Sequence, residues 1–345
     1  MRRTFLKSAA AATIAITTLS FGTAASAQDA GEFYKDNVIK WIVPYDPGGG
    51  YDEYSRILIP YFEKYTGARV DIVNMPGSGG MKGAVEIFNS PSDGRTVGII
   101  NGSAMVTNQL AKIEGANYKV GDYNFLGRMV ADRRVMVAGA ASGIKTFDDL
   151  MNNGKTDIVG ATGLGGSTYV DAVITGDVLE VDQRVVHGFD RSGDIRTAML
   201  RGDVQAMWGS LGSAIKGIES GDHTLILHGV KNPTGILAGV PSIYDIAMKM
   251  EGGDRRVQIL ESWDALSAVG RPVAAPPGVP EDRLAFLRDA FAKAMNDPEF
   301  VAMASENDRD LSYASGEDMA GIAKAATELD ADIEALFVAA IRGEI

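Results

Sequence analysis

Two punctuated turns restrict the fold more than any other feature: "VPYDPGGGYDEYSR" (43–56) and "VNMPGSGGMKG" (73–83). In each, an apolar run gives way to a proline, then to glycines, then to a helix-forming stretch. Proline cannot donate to a central strand's ladder, and glycine adopts backbone angles that other residues avoid. Two strand–turn–helix units so close together predict βαβ connections and a largely parallel sheet.

The alternation continues along the chain. Strands are expected at 38–43, 69–73, 96–100, 134–140, 156–161, 204–208 and 224–229. Helices are expected at 52–67, 168–180, 192–201 and 280–296. Asp52 reads as the N-cap of the first helix, whose apolar face is Ile57, Leu58, Tyr61, Phe62 and Tyr65; Pro60 should kink or shorten it. The stretch 315–341 opens with a capping box, Ser315 with Asp318. Met319, Ile322, Ala326, Leu329, Ile333, Leu336 and Ala340 then recur in steps of three and four. Two alanines among those seven favour a terminal helix packed on its own domain over a dimer seam, so a monomer is expected.

With 345 residues, 46% of them apolar, the chain can bury a core in about two domains. It has no cysteine, which leaves no disulfide, Cys-ligated zinc site or thiol nucleophile. Residues 1–27 read as an export signal: Arg2, Arg3 and Lys7 precede a weakly apolar stretch that ends in Ala25-Ser26-Ala27. "RRTFLK" fits a twin-arginine signal or an ordinary secretory one. Cleavage after Ala27 and a periplasmic location are expected. The full chain carries −12, and losing three cations makes the mature chain more acidic still. Nucleic acid, which needs basic patches, is therefore an unsuitable partner.

Glycine turns that open helices expose backbone N–H groups where the helix dipole is positive, a setting for an anion. Two on consecutive strands can converge at the carboxyl edge of a sheet, where open α/β folds place ligands. A carboxylate held this way would need neither lysine nor arginine. Neither turn has the G-x-x-x-x-G-K-[ST] or G-x-G-x-x-G spacing, so carboxylate is favoured over phosphate. A third turn, "GATGLGGSTYVD" (160–171), adds Thr162, Gly165, Ser167 and Thr168 from the second half of the chain. "HGFDRSGD" (187–194) adds Phe189 as an apolar wall, Arg191 as an anion fork, and Ser192.

At this point a resemblance becomes specific. "IVPYDPGGGYDEYSRIL", "VNMPGSGGMKGA" and "PSDGRTVGI" resemble the hallmark segments of the substrate-binding proteins of tripartite tricarboxylate transporters, the Bug receptors. "RGDVQAMWGSLGSAIKGIESG" and "AAPPGVPEDRLAFLRDAFAKAMNDPEF" fit the later segments, so the likeness spans about 38 to 340. It implies an α/β, two-lobe periplasmic-binding-protein-like fold (type II-like), each lobe a sheet flanked by helices, with a hinge of two crossing segments. The lobes are expected at 28–137 plus 261–345 and at 138–260. It implies a non-enzymatic receptor that holds a small organic carboxylate between the lobes and delivers it to a membrane transporter, without cofactor or metal. Carried onto this chain, the proximal contacts are Tyr45, Pro47, Gly48, Gly49, Gly50 and Tyr51, with Asp52 as helix cap, and Ser78, Gly79 and Gly80; Asn101 and Ser103 sit close by. The second lobe contributes Thr162, Gly165, Ser167, Thr168, Phe189, Arg191, Ser192 and Ser210 to the distal end. The chain departs from the family where Phe189-Asp190-Arg191 replaces a Tyr-Lys-Gly-like segment and Gln205 replaces an acid.

Other functions find weaker support. His187, Asp190 and Asp194 match no metal-ligand spacing, and His223 and His228 flank a strand. No G-x-S-x-G elbow is present. A sensory receptor, a hydrolase of carboxylated substrates and a phosphate receptor stand as alternatives.

Overall fold

The computed structural model describes residues 30–35, 37–152 and 154–344; the expected signal and its cleavage site lie outside them. The strands are β1 (Val38–Val43), β2 (Arg69–Asn74), β3 (Thr96–Ile99), β4 (Asn124–Arg128), β5 (Arg134–Gly139), β6 (Asp157–Gly160), β7 (Gln183–Val186), β8 (Ala206–Ser210), β9 (His223–His228), β10 (Pro272–Ala275) and β11 (Ala314–Ser315). They form two sheets, ordered β11-β4-β10-β3-β1-β2 and β7-β6-β8-β5-β9.

Each sheet is the middle of a lobe. Along β1, Ile39, Trp41 and Val43 enter one core cluster while Ile42 enters another. Successive side chains of a strand point to opposite faces, so β1 is covered by helices on both sides. The sheets are mixed, not purely parallel. β1 runs parallel to β2 and β3, and β6 parallel to β7 and β8. β10 lies antiparallel between β3 and β4, and β5 antiparallel between β8 and β9. β4, β7, β10 and β11 were not expected from the sequence.

The chain changes sheet twice. All of β5 lies in the second sheet, so the first crossing is 129–133, ahead of the expected boundary at 137–138. The second follows the helix Gly253–Val269, which the expected boundary at 260–261 would divide, and returns the chain to the first sheet at β10. The crossings lie side by side: Arg271 N–H donates to Val130 O (2.9 Å), and Met129 N–H donates to Arg271 O (3.0 Å). Gly270 has φ +60°, and a Cβ there would fall 2.1 Å from Val130 O.

Between the lobes the apolar core is continuous. One cluster takes Ile42 and Met105 from the first lobe, Val173 and Trp208 from the second, and Met319, Ile333 and Phe337 from the C-terminal helices. Those helices are Gly316–Thr327, with the expected capping box, and Ala331–Arg342. The residues at steps of three and four pack against this core, as expected, but the stretch is broken in two. The helix Gly50–Thr66 runs through Pro60 without being shortened and ends on Gly67 at φ +70°.

Candidate functional site

A cavity opens between the lobes, lined by residues of both. From the first lobe come Tyr45, Gly49, Gly50, Tyr51 and Asn101. Thr162, Ser167, Thr168, Arg191, Ser192 and Ser210 face them from the second. These eleven expected residues are brought together. The wall also holds Asp132, Arg134, Arg196, Gly209, Ser213 and Arg271, which sequence reasoning missed.

The first glycine turn reaches the cavity because its helix begins there. Gly49 occupies the N-cap position and provides no side-chain cap. The first amides of a helix lack intrahelical acceptors, so donors and dipole face the space beside Gly50 and Tyr51. Asp52 is not the N-cap. It stands in the first turn, and its Oδ2 accepts from Gly48 N–H (2.9 Å) and Arg56 Nε (2.7 Å), while Oδ1 accepts from Asn74 (3.0 Å). Its side chain thus takes up the Gly48 amide, and Gly48 and Pro47 lie outside the cavity wall.

Burial pushes the Asp52 carboxyl up, but hydrogen bonds from Arg56, Gly48 and Asn74 together hold it below its ordinary value of 3.8. A depressed folded-state pKa gives stability that is fully present above the unfolded value and fades as pH falls through the folded one. Asp52→Ala is expected to cost about 1–2 kcal/mol in urea unfolding at pH 7, with the difference from wild type shrinking below pH ~4.

The second turn does something different. Ser78, Gly79 and Gly80 form a 3₁₀ turn with φ of 50°, 63° and 99°. Tyr45 donates its hydroxyl proton to Gly79 O (2.7 Å), and Asn101 Nδ2 donates to Tyr45 Oη (2.6 Å) and to Ser167 Oγ (3.2 Å) across the lobes. Gly79 packs backbone to backbone against the third turn. A Cβ on Gly79 would lie 3.0 Å from Gly166 Cα, and one on Gly163 2.7 Å from Gly79 N. These three expected contacts therefore lie outside the wall: Ser78 and Gly79 face the opposite lobe, and Gly80 packs against Tyr45.

Other expected residues are also occupied elsewhere. Ser103 donates to Asn101 Oδ1 (3.1 Å), and Gly165 O accepts from Thr107 (3.1 Å). Phe189 packs into the second lobe's core. Arg191 reaches across to Pro47 O (2.7 Å) while paired with Asp194 (3.0 Å). Thr162 and Thr168 join through their hydroxyls (2.9 Å).

Arg191 is joined in the wall by three arginines that the sequence reading did not place there. Four arginines face one aspartate there, in a chain of net charge −12. Asp132 pairs with Arg271 (3.1 Å) and lies 3.8 Å from Arg134, and Arg134 also pairs with Asp171. Asp171 accepts from Trp263 Nε1 (2.9 Å). All four charged side chains are about 95% buried. Asp171 and Asp194 offset two further arginines, which leaves Arg196, half-buried and without a hydrogen bond or ion pair among the described residues, as the surplus cation of the wall. Burial pushes the Tyr45 hydroxyl up to about 12, so it stays a protonated donor. A usable signal existed: Arg134 and Arg271 each head an otherwise apolar run, "VMVAGA" and "PVAA", an odd place for a solvated charge.

Known proteins share this architecture. The family model described as Tripartite tricarboxylate transporter family receptor matches residues 56–334. A protein in the tcbD-tcbE intergenic region of Pseudomonas sp. (strain P51) is 33% identical over 96 residues, 28% of this chain and 27% of that one. The chain thus spans about a quarter of that curated relative's length. The periplasmic binding protein BugD superposes with TM-score 0.73 at 16% identity, covering 88% of this chain and 98% of that one. MatC from Rhodopseudomonas palustris, with bound malate, gives 0.71 at 18% identity, over 88% and 99%. At such identities the likeness to these structures establishes the two-lobe fold.

Proposed function

This chain belongs to the tripartite tricarboxylate transporter receptor family, whose members are binding proteins and not enzymes, and on that premise we propose that its interlobe cavity receives a small organic carboxylate. The observation that carries the reading is the cavity wall: an uncapped helix N-terminus, a set of hydroxyls and an excess of arginine over aspartate, inside an acidic chain. Each of these favours an anion with hydrogen-bond acceptors. MatC, of similar fold, holds malate. The receptor is exported to the periplasm, in keeping with its N-terminal sequence, and passes its cargo to a membrane transporter of the tripartite tricarboxylate type. Ligand drives closure only to the extent that it binds the closed form better.

Thermal denaturation of the mature chain across a carboxylic acid panel tests this. A true ligand at 100 times its Kd stabilises by ~2.7 kcal/mol, with the acid recovered unchanged. Stabilisation by phosphate but by no carboxylate, or conversion of the acid to product, would refute the proposal.

A further inference from the structure

Arg271 ends the second crossing, and its guanidinium is held between two rings, 4.6 Å from the centre of Tyr51 and 4.7 Å from that of Tyr54. Nε donates to Asp132 (3.1 Å) and Nη2 donates to Ser210 Oγ (2.8 Å). Nη1 is buried and has no partner, and the same is true of the Tyr51 hydroxyl. Both residues line the cavity, and Arg271 is 3% exposed. Arg134 Nε, on the same wall, is a third buried donor without a partner; buried donors are almost always satisfied, so this group calls for an acceptor that enters the cavity. Gly50 keeps Nη1 within reach: a Cβ there would fall 3.0 Å from it and 2.6 Å from Ser213 Oγ.

We propose that Arg271 and Tyr51 are the receptor's acid anchor, with one carboxylate oxygen accepting from Arg271 Nη1 and the other from the Tyr51 hydroxyl. This deepens the carboxylate reading and rests on it. The grip on the acid comes from Arg271 at the second crossing and from Tyr51, whose ring lies against it, while Gly79 of the second glycine turn packs against the opposite lobe. The ring sandwich and two fixed hydrogen bonds immobilise the guanidinium, so little rotamer freedom is lost when ligand arrives. Burial holds the Tyr51 hydroxyl well above its ordinary pKa, which keeps it a donor at any physiological pH. An anchor made only of donors selects an ionised acid and rejects an ammonium end. Lysine, a point charge without the planar fork, cannot replace Arg271 here.

Calorimetric titration of the mature chain with malate, succinate, adipate and benzoate, followed by the tightest of these on two variants, tests the anchor. Tyr51→Phe keeps the ring over Arg271 and removes only an unpartnered hydroxyl. Its unliganded melting temperature should equal or exceed that of wild type, while its Kd rises about tenfold. Arg271→Lys should raise Kd by about tenfold or more. If wild type binds an acid and Tyr51→Phe binds it as tightly, the anchor is refuted and the carboxylate reading stands. If wild type binds none of the four, the reading beneath the anchor fails as well.

Discussion

Gly79→Val is expected to weaken binding of the tightest acid by about a hundredfold, equivalent to ~2.7 kcal/mol, without contacting the ligand. Gly79 has φ +63°, which a β-branched residue adopts only with strain. Its Cβ would meet Gly166 N at 3.1 Å and Gly166 Cα at 3.0 Å. Both atoms are backbone on the opposite lobe and cannot swing aside. The lobes would then be held apart by the width of a side chain, and the wall from Thr162 to Ser210 would withdraw from the helix N-terminus at Gly50. Gly49→Val provides the contrast. Gly49 has φ −90°, and its nearest neighbour to a Cβ is Asp46 O at 3.7 Å. That backbone tolerates valine, so any loss of affinity there comes from methyl groups on the cavity wall. Calorimetry alongside far-UV circular dichroism separates the two effects. Wild-type affinity in Gly79→Val would show that the glycine turns do not meet in the liganded receptor.

Asp171→Leu carries the largest expected loss of stability, ~3–5 kcal/mol in urea unfolding. The substitution takes the nearest carboxylate from buried Arg134, leaving Asp132 at 3.8 Å, and it strands Trp263 Nε1–H. An uncompensated buried charge is what makes a broken pair costly; the pair itself is close to neutral against apolar residues of similar size. Arg134→Met in the same chain should therefore recover much of the loss. Asp171→Asn, which keeps an acceptor for Trp263, should cost less than Asp171→Leu. A loss under ~1 kcal/mol for Asp171→Leu would mean that the pair is solvated and the cluster loose.

What was legible in the sequence was local. β1, β2 and β3 are apolar runs closed by proline or glycine, and the chemistry of each turn is written within a few residues of it. The missed strands had no such signature. β10 is four residues beginning with proline, and β4 contains Gly127; each is placed by partners far along the chain. Asp52 was assigned to the right helix end but the wrong position, because an acid reaching back from the first turn and an acid capping from ahead of it look alike in sequence. Arg134 and Arg271 were missed for a related reason: the sequence flags their odd placement but not their partners. Arg134 finds Asp171 37 residues away, and Arg271 finds Asp132 139 residues away. A cation at the head of an apolar run hints at burial, but its carboxylate is known only once the topology folds one over it.

The two crossings, fastened together through Val130, Met129 and Arg271, have a mechanical meaning. Tethers joined edge to edge suit a swing about that line better than a slide of one half past the other. Under the proposed function, cargo alters only the fraction of time the lobes spend shut, and a transporter would meet one outline whatever acid lies inside.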